Sequence, residues 1–299
     1  MSATPLFDPT APLQPSGNLR RRMAVSRLIA SVSTAAALLA VFVLTIVVVD
    51  VGRQGLGAIN WHLLTTNSDI LSQGIGDALA GTGLIVLVAS LMAIPIGVLA
   101  ALYLAEFARP QSRLAAALKL AFDLLQGMPT VVVGLFVLGL IVEPQGFDSG
   151  FAGSVALAVI MLPLIARTSQ EVLRLVPGSL RDAADALGVA RWRTLLGVVL
   201  PAAAGGIATG AILAIARAAG ETAPLLAVDS VFTPGPKLDI FGQGVPNVPV
   251  IILQLSEQPS PEGLIRAWGA ALTLLFLILA ANIGARVLLA RNRKRTTGQ

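Results

Sequence analysis

Among the charged side chains inside long apolar stretches of the sequence, three are singled out here, because a charge there needs a polar cavity or a partner. Arg167 lies in one such stretch, and Arg217 and Glu221 lie four residues apart in another. A charge at the centre of a bilayer is unfavourable by about 2.5–3.5 kcal/mol on insertion scales, and by more in simulations. Arginine offers a planar fork of donors that holds an oxyanion at two points. We therefore predict that Arg167, Arg217 and Glu221 line a path for an anion.

Each of these residues also has a purely structural explanation. Glu221 stands about one helical turn after Arg217, so the two could form a salt bridge that only fixes packing. Arg167 precedes the polar residues 168–170, and its side chain could extend to the lipid headgroups. With a rise of about 1.5 Å per residue, Arg217 lies about 25 Å from one membrane face and Arg167 about 21 Å from the other. The two arginines are therefore expected at different heights along one possible path.

The elements that carry these charges are predicted membrane spans. The 299 residues are 55% hydrophobic and only 12% charged, a balance that one soluble core does not accommodate. Six apolar runs are long enough to cross about 30 Å of hydrocarbon as helices. They cover roughly residues 28–49, 81–105, 115–142, 151–168, 200–228 and 267–290. The sequence thus predicts an all-α membrane protein with six transmembrane helices.

The distribution of lysine and arginine predicts the orientation of these spans. If the amino terminus is cytoplasmic, sixteen of the 21 basic residues lie on the cytoplasmic side and three lie outside. Cytoplasmic segments carry such an excess, so both termini are predicted inside. Residues 1–27 are predicted to form a disordered cytoplasmic tail, residues 28–290 the membrane domain, and residues 291–299 a basic cytoplasmic tail.

Several kinds of site are excluded by what the chain lacks. The sequence has no cysteine, which rules out disulfides and thiolate metal sites. Its basic residues are spread over short loops instead of one face, so no nucleic acid partner is predicted. None of the three lysines follows a glycine, so the phosphate loop of ATP-binding proteins is absent. We predict no catalytic residue, no metal site and no cofactor in this chain.

A polar loop between the fourth and fifth apolar runs has a distinctive spacing. Residues 182–188 read Asp-Ala-Ala-Asp-Ala-Leu-Gly, and residues 198–201, after a gap of nine, read Val-Val-Leu-Pro. This resembles the EAA loop of bacterial binding-protein-dependent ABC importers, which reads Glu-Ala-Ala, three residues, Gly, nine residues, Ile-x-Leu-Pro. Asp182 replaces the glutamate and Val198 the isoleucine, both mild changes. The resemblance implies the type I importer permease fold, with a cytoplasmic coupling helix that fits an ATPase subunit.

The local sequence of this loop predicts a short helix with defined ends. Ser179 is expected to cap its start, and Gly188 is expected to end it. An ordinary amphipathic loop is the alternative. The resemblance assigns the following residues to ATPase coupling: Asp182, Ala183, Ala184, Gly188, Arg191 and Trp192.

Three further stretches narrow the resemblance within the importer family. Residues 93–107 look like the second-span signature of this fold, and residues 127–136 are similar to phosphate permeases. Residues 214–226, which contain Arg217 and Glu221, resemble the phosphate permease subunit of the PstA type. The resemblance implies a place in the bacterial inner membrane and transport of inorganic phosphate. It also implies three kinds of partner: a second homologous permease subunit, two ATP-binding subunits and an extracytoplasmic phosphate-binding protein.

Other functions stay open on the residues alone. Two arginines do not specify an anion, so an importer of molybdate or sulfate is the nearest alternative. A secondary transporter or channel that needs no ATPase is a second alternative, and a membrane scaffold without transport is a third. Gly206 and Gly210 form a small-residue stripe that predicts a close helix contact, either within this chain or with a second permease.

Overall fold

The computed structural model describes residues 19–68, 74–109, 111–230 and 238–297, and all regular secondary structure in these ranges is helical. The chain divides into two compact units, residues 1–52 and 53–299. The first unit contains most of helix α1 (Leu19–Gly55), whose most apolar window has no buried residue. Helix α1 begins at Leu19 and therefore includes residues 19–27 of the segment predicted to be a cytoplasmic tail. Leu, Arg, Met and Ala in that segment are good helix formers. Residues 1–18 lie outside the described residues.

The second unit contains the remaining helices, which alternate between long apolar helices and short connecting ones. In chain order they are α2 (Trp61–Thr65), α3 (Gly76–Leu102), α4 (Arg113–Gly127), α5 (Thr130–Val137), α6 (Glu143–Gln145), α7 (Gly150–Leu175), α8 (Gly178–Ala186), α9 (Arg191–Thr194), α10 (Leu200–Ala218), α11 (Ala223–Val228), α12 (Val248–Ser256) and α13 (Pro261–Thr297). Three π-helical turns, Tyr103–Phe107, Leu138–Val142 and Leu195–Val199, extend α3 and α5 and precede α10.

The predicted membrane spans are present, although one of them is broken. Within the described ranges, five helical segments are long and apolar enough to cross a membrane. They are Arg21–Gly55, Gly76–Phe107, Gly150–Leu175, Arg191–Ala218 and Pro261–Val287. The segments Arg113–Gly127 and Thr130–Gln145 pass the same test only together and meet at 107°. Counted as one span, this pair completes the predicted six.

The apolar run of residues 115–142 is continuous in the sequence, but the helix breaks within it, and the local sequence explains the break. Met128 has φ −73° and ψ 137°, an extended conformation. A residue before proline is excluded from the helical region by a clash with the proline ring. Pro129 then precedes the first turn of α5, where its missing N–H costs no helical hydrogen bond. The predicted span over residues 115–142 is therefore made of two helices that meet at a sharp bend.

The helix in the fifth apolar run ends before the run does. Helix α10 ends at Ala218, the chain turns at Ala219 and Gly220, and α11 begins at Ala223. Pro224 occupies the first turn of α11, a position that favours a new helix start over continuation of the previous helix. Helix α11 packs on α5, where a Cβ added to Gly134 would lie 2.8 Å from Cα of Pro224. The segment after Arg217 is thus held against the second half of the broken span.

Helix α7 lies at the centre of the second unit, packed between α3 and α10. Small residues allow these helices to approach closely. Such contacts are expected in a membrane, where helices associate by van der Waals packing because the hydrophobic effect does not act between them. A Cβ added to Gly206 of α10 would meet Val172 of α7 at 2.5 Å, and one added to Gly210 would meet Thr168 at 2.3 Å. The close contact predicted at Gly206 and Gly210 is therefore made within this chain.

A short helix marks each end of this bundle. The α8 end comprises α8, α9 and the carboxyl ends of α3 and α7. The α12 end comprises α12 and the amino ends of α3 and α7, where the backbone N–H of Val248 donates to Thr82 Oγ1 at 2.9 Å. Ser149 caps α7 at this end, accepting from the N–H of Ala152 at 3.2 Å. These contacts fix the direction of the helices that carry the charged residues.

Candidate functional site

Arg217 lies in the last turn of α10, with its Nε 3.5 Å from Oε1 of Glu221. The predicted contact is present, but Glu221 lies beyond the end of the helix instead of one turn along it. The Arg217 side chain is 56% exposed and that of Glu221 is 16% exposed. A cation is favoured at the carboxyl end of a helix, where the macrodipole is negative. The guanidinium thus has a local partner and keeps donors free.

Arg167 pairs with an acid that the sequence reading missed. Its Nη2 forms a salt bridge with Oδ1 of Asp123 in α4, and both side chains are about half exposed, at 43% and 53%. Asp123 lies inside the apolar run of residues 115–142. The same argument that singled out Arg167, a charge within an apolar stretch, would have found Asp123. The pair joins the first half of the broken span to the central helix.

A polar cavity of about 310 Å³ lies between α4 and α7 beside this salt bridge. Its charged lining consists of three cations and two acids: Lys119, Arg167, Arg174, Asp123 and Glu171. Gln170 also lines it, and the amide Nε2 of this residue is buried without a hydrogen-bond partner in the described part of the chain. Such a lining suits a hydrated or anionic occupant better than a lipid chain.

The break between α4 and α5 adds a polar face at membrane depth. Helix α4 has 15 residues, so the break lies about 22 Å along the chain from its start. Asp123 and Gln126 are exposed on α4 just before it. Non-helical backbone inside a membrane occurs where it is covered by protein or lines a cavity. Asp123 and Gln126 thus place two exposed polar side chains beside this break.

The structure does not bring Arg167 and Arg217 together. Arg167 is eight residues before the end of α7, about 12 Å from its α8 end. Arg217 is at the opposite end of its helix, because α10 starts near the α8 end and runs away from it. The two residues lie at different heights on two helices that pack against each other. The predicted difference in height between the two arginines is therefore present, and their place on an anion path stays a prediction.

The predicted coupling residues lie on α8 and the segment that follows it. Asp182, Ala183, Gly188, Arg191 and Trp192 are exposed, whereas Ala184 is buried against the rest of the chain. Large apolar side chains are exposed alongside them, including Leu187 at 82% and Trp192 at 58%. Apolar side chains exposed next to a polar helix face are typical of a surface that contacts another protein.

The two ends of α8 give one confirmed prediction and one that is wrong. Gly188 ends the helix with φ 68°, its N–H donating to the carbonyl of Asp185 at 3.0 Å and that of Val189 to Ala184 at 3.1 Å. These are the bonds of a Schellman motif. Ser179 is not the cap, because Pro177 occupies that position and makes no side-chain hydrogen bond. Proline starts a helix by its fixed φ instead.

A buried carboxyl organises the α12 end. Asp229 is fully buried just after α11, and its Oδ1 accepts from the N–H of Val245 at 2.7 Å. Asn247 Nδ2 donates to Oδ2 of Asp229 at 3.3 Å, while Asn247 Oδ1 caps α12. Burial raises the pKa of Asp229 from its ordinary 3.8 to about 8, against these hydrogen bonds, which lower it. The sequence offered no signal for this role beyond the position of Asp229 in an external loop.

Metal binding has no visible basis in the described ranges, where no group of three or more His, Cys, Asp or Glu side chains could hold an ion. The two arginines offer a different chemistry, because a guanidinium group can bind an oxyanion through two donors. Both arginines keep partly exposed guanidinium groups, so both can exchange a carboxylate partner for another oxyanion.

Comparison with known proteins places the chain in a family. A family model described as "Binding-protein-dependent transport system inner membrane component" matches residues 93–297. The phosphate transport system permease protein PstA of Yersinia pestis is 38% identical over 242 residues, which are 81% of this chain and 81% of that protein. PstA 1 of Mycobacterium tuberculosis H37Rv is 38% identical over 225 residues, covering 74% of this chain and 72% of that protein.

Solved structures agree on the fold. A chain of the inward-facing MetNI methionine ABC transporter has a TM-score of 0.57 and 19% identity, covering 74% of this chain and 95% of its own length. A bacterial ABC transporter that imports alginate gives 0.56 and 15%, covering 89% and 99%. These similarities concern the fold alone. On the family match and the relatives above, the chain belongs to the binding-protein-dependent transport system inner membrane components.

Proposed function

We propose that this chain is the permease subunit of an ATP-driven importer of inorganic phosphate and forms half of the translocation pathway. The observation that carries this proposal is the 38% identity to a PstA phosphate permease over 81% of both chains. The matching region includes the spans that hold Arg167 and Arg217. As a subunit of this kind it is multi-pass in the bacterial inner membrane, with both termini cytoplasmic, as the excess of basic residues on that side supports.

The proposed phosphate path uses the two arginines in turn. Arg217, held by Glu221 near the outer end of α10, contacts the anion first, and Arg167 receives it nearer the cytoplasm. Each guanidinium already holds a carboxylate, Glu221 or Asp123, which phosphate must displace. Exchange of one oxyanion for another keeps the cation paired throughout and avoids an isolated charge at membrane depth.

The proposed coupling to ATP uses the exposed face of α8. Asp182, Ala183 and Leu187 would contact an ATP-binding subunit, with Gly188, Arg191 and Trp192 at the edge of the contact. Ala184 supports this face from below by packing inside the chain. The full assembly would contain a second homologous permease, two ATP-binding subunits and an extracytoplasmic phosphate-binding protein. This chain itself would make no covalent chemistry, and ATP would be hydrolysed by its partners.

Purification of the intact complex and its reconstitution into liposomes test the proposed transport. We expect two ATP-binding chains and a second permease to co-purify, and phosphate uptake to require ATP and the binding protein. Competition with sulfate and molybdate distinguishes phosphate from the other oxyanions. Uptake without ATP would contradict the proposal and favour a secondary transporter, and preferential uptake of sulfate or molybdate would overturn the choice of substrate.

The docking face has a test of its own, because the chain has no native cysteine. Cysteine at exposed Ala183 should cross-link to a cysteine placed in the facing cleft of an ATP-binding subunit. The matched control is Ala184→Cys, one residue away but buried, which should cross-link far less. Equal cross-linking at both positions, or none at Ala183 in an active complex, would contradict docking through this face of α8.

A further inference from the structure

The end of α3 is tied to α8 by an ion pair between residues far apart in the sequence. Glu106 lies in the π-helical turn Tyr103–Phe107, and its side chain is only 7% exposed. Arg181 of α8 places Nη2 2.5 Å from Oε1 of Glu106, and its Nε lies 3.2 Å from both carboxylate oxygens. This two-pronged geometry makes the contact directional as well as attractive.

The same guanidinium also reaches the end of α7. Nη1 of Arg181 donates to the carbonyl of Val176 at 2.8 Å, and Nη2 donates to the carbonyl of Leu173 at 3.0 Å. The last carbonyls of a helix have few partners within the helix, and Leu173 accepts only a long bond of 3.4 Å from the N–H of Val176, so the bonds from Arg181 help to satisfy this helix end. One side chain thus joins α8 to the carboxyl ends of both α3 and α7.

A second arginine, which follows the Gly188 turn, also contacts the π-helical turn at the end of α3. Arg191 donates from Nη2 to the backbone carbonyl of Glu106. Its guanidinium carbon lies 5.2 Å from the centroid of the Phe107 ring, within the range of a cation–π contact. The chain on both sides of the turn is therefore attached to the two residues Glu106 and Phe107.

Apolar packing alone would hold α8 weakly. Of its nine residues, all described, only Ala184 is buried. Its attachment to α3 consequently depends on the contacts of Arg181. Helix α3 and α7 in turn form the centre of the bundle, and α7 carries Arg167 and packs on α10. A displacement of α8 would therefore act through the contacts of Arg181 on α3 and α7. Helices α7 and α10 carry the arginines of the proposed path.

We propose that Arg181 and Glu106 are positioning residues that transmit movement of α8 to α3 and α7, and so couple ATP hydrolysis to transport. The π-helical turn that holds Glu106 supports this assignment, because π-turns within α-helices are frequently found at functional sites. The proposal rests on the proposed function, in which α8 contacts an ATP-binding subunit. It assigns to Arg181 the transmission of movement and leaves the docking itself to the exposed face of α8.

The reconstituted complex with Arg181→Gln tests this role. We expect normal co-purification of the ATP-binding subunits, normal basal ATP hydrolysis and an unchanged half-saturating phosphate concentration. The amount of phosphate transported per ATP should fall about tenfold, the scale of losing one charge-assisted hydrogen bond. Arg181→Lys keeps the charge without the fork and should recover part of this ratio. Arg113→Gln, which removes an exposed arginine at the start of α4, is the control and should leave the ratio unchanged.

Two results would overturn the assignment. One is a normal transport ratio in Arg181→Gln, and the other is an equal loss in the Arg113→Gln control. If Arg181→Gln does not assemble, Glu106→Gln, which keeps the shape of the side chain, is measured in the same way, and a normal ratio there overturns the proposal. Failure of both variants to assemble would assign the pair to folding and also overturn it. A wild-type complex that lacks ATP-dependent phosphate uptake would instead contradict the proposed function.

Discussion

The two arginines of the membrane region are held in different ways. Arg217 has an acid four residues away, beyond the end of its own helix, and the contact is long at 3.5 Å. Arg167 has its acid on another helix, and their contact exists only when α4 lies against α7. The first pair depends on local chain geometry and the second on tertiary packing. A substitution at the first should therefore change anion binding, whereas one at the second should change anion binding and helix arrangement together.

The largest effect is expected for Arg217→Ala, which removes the more exposed of the two guanidinium groups. Phosphate uptake by the reconstituted complex should fall about 100-fold, since hydrogen bonds to charged groups contribute about 1.5–3 kcal/mol. Arg217→Lys should retain a fraction of the activity, because the charge stays and the planar fork is lost. Thermal unfolding of the purified complex should barely change. Wild-type uptake in Arg217→Ala would remove this residue from the path.

Arg167→Ala is expected to reduce uptake by about tenfold, the lower end of the same range, because the neighbouring cations of the cavity remain. In contrast to Arg217→Ala, it should also lower the unfolding temperature, since Asp123 loses its partner on α7. Uptake normalised to complex, measured beside thermal unfolding, separates the two effects. Loss of uptake without any loss of stability would make the two arginines equivalent and contradict the comparison.

Double-mutant cycles sharpen the same contrast on a smaller scale. For Arg167 and Asp123 we expect a coupling energy of about 0.5–1 kcal/mol, the upper part of the range for partly exposed pairs. For Arg217 and Glu221 we expect about 0.3 kcal/mol, typical of pairs four residues apart. Alanine singles and doubles compared by chemical or thermal unfolding give both values. A larger coupling for the local pair would reverse the assignment of local and tertiary roles.

Asp229 differs from the acids that pair with Arg167 and Arg217. Its carboxylate accepts hydrogen bonds from amide groups, and no cation is bonded to it in the described part of the chain. Burial raises its pKa to about 8, and Asp148 nearby acts in the same direction. The folded state therefore keeps a proton that the unfolded state releases above its ordinary pKa of 3.8. The contribution of Asp229 to stability should fall as pH rises from about 4 to 8.

The neutral variant Asp229→Asn tests this pH dependence. The wild-type unfolding temperature should fall relative to that of Asp229→Asn between pH 5 and 8, with each kcal/mol shifting it by about 2–4 °C. Asp148→Asn, at the neighbouring acid, should remove only a minor part of the effect. Parallel pH curves for the wild type and Asp229→Asn would show that the carboxyl ionises normally.

The features predicted from the sequence were those set by local composition and spacing. The apolar runs located the spans, and Gly188 correctly ended α8, because its left-handed conformation is a local property. The bend at Met128 and Pro129 is equally local, because a residue before proline is excluded from the helical region. Ser179 was a suitable cap by type, but Pro177 had already set the helix start two residues earlier.

The contacts missed from the sequence join residues that are distant in the chain. Glu106 and Arg181 are 75 residues apart, and Asp123 and Arg167 also lie on separate helices. Spacing along one helix cannot reveal such partners, since they meet only through the packing of α3, α4 and α8 around α7. Charge within an apolar run could still have singled out Asp123 as a residue in need of a partner.

The backbone at Gly188 has a consequence for sequence variation in this loop. Its φ is 68°, and a Cβ added there would meet no described atom within 4 Å apart from its neighbours in the chain. Other residues are therefore disfavoured by backbone conformation, at about 1–2 kcal/mol, and not by crowding. In a library randomised at this position, asparagine and aspartate should be enriched after glycine, and β-branched residues should be depleted most strongly. Glycine at this position would then be selected for the left-handed backbone conformation of the turn.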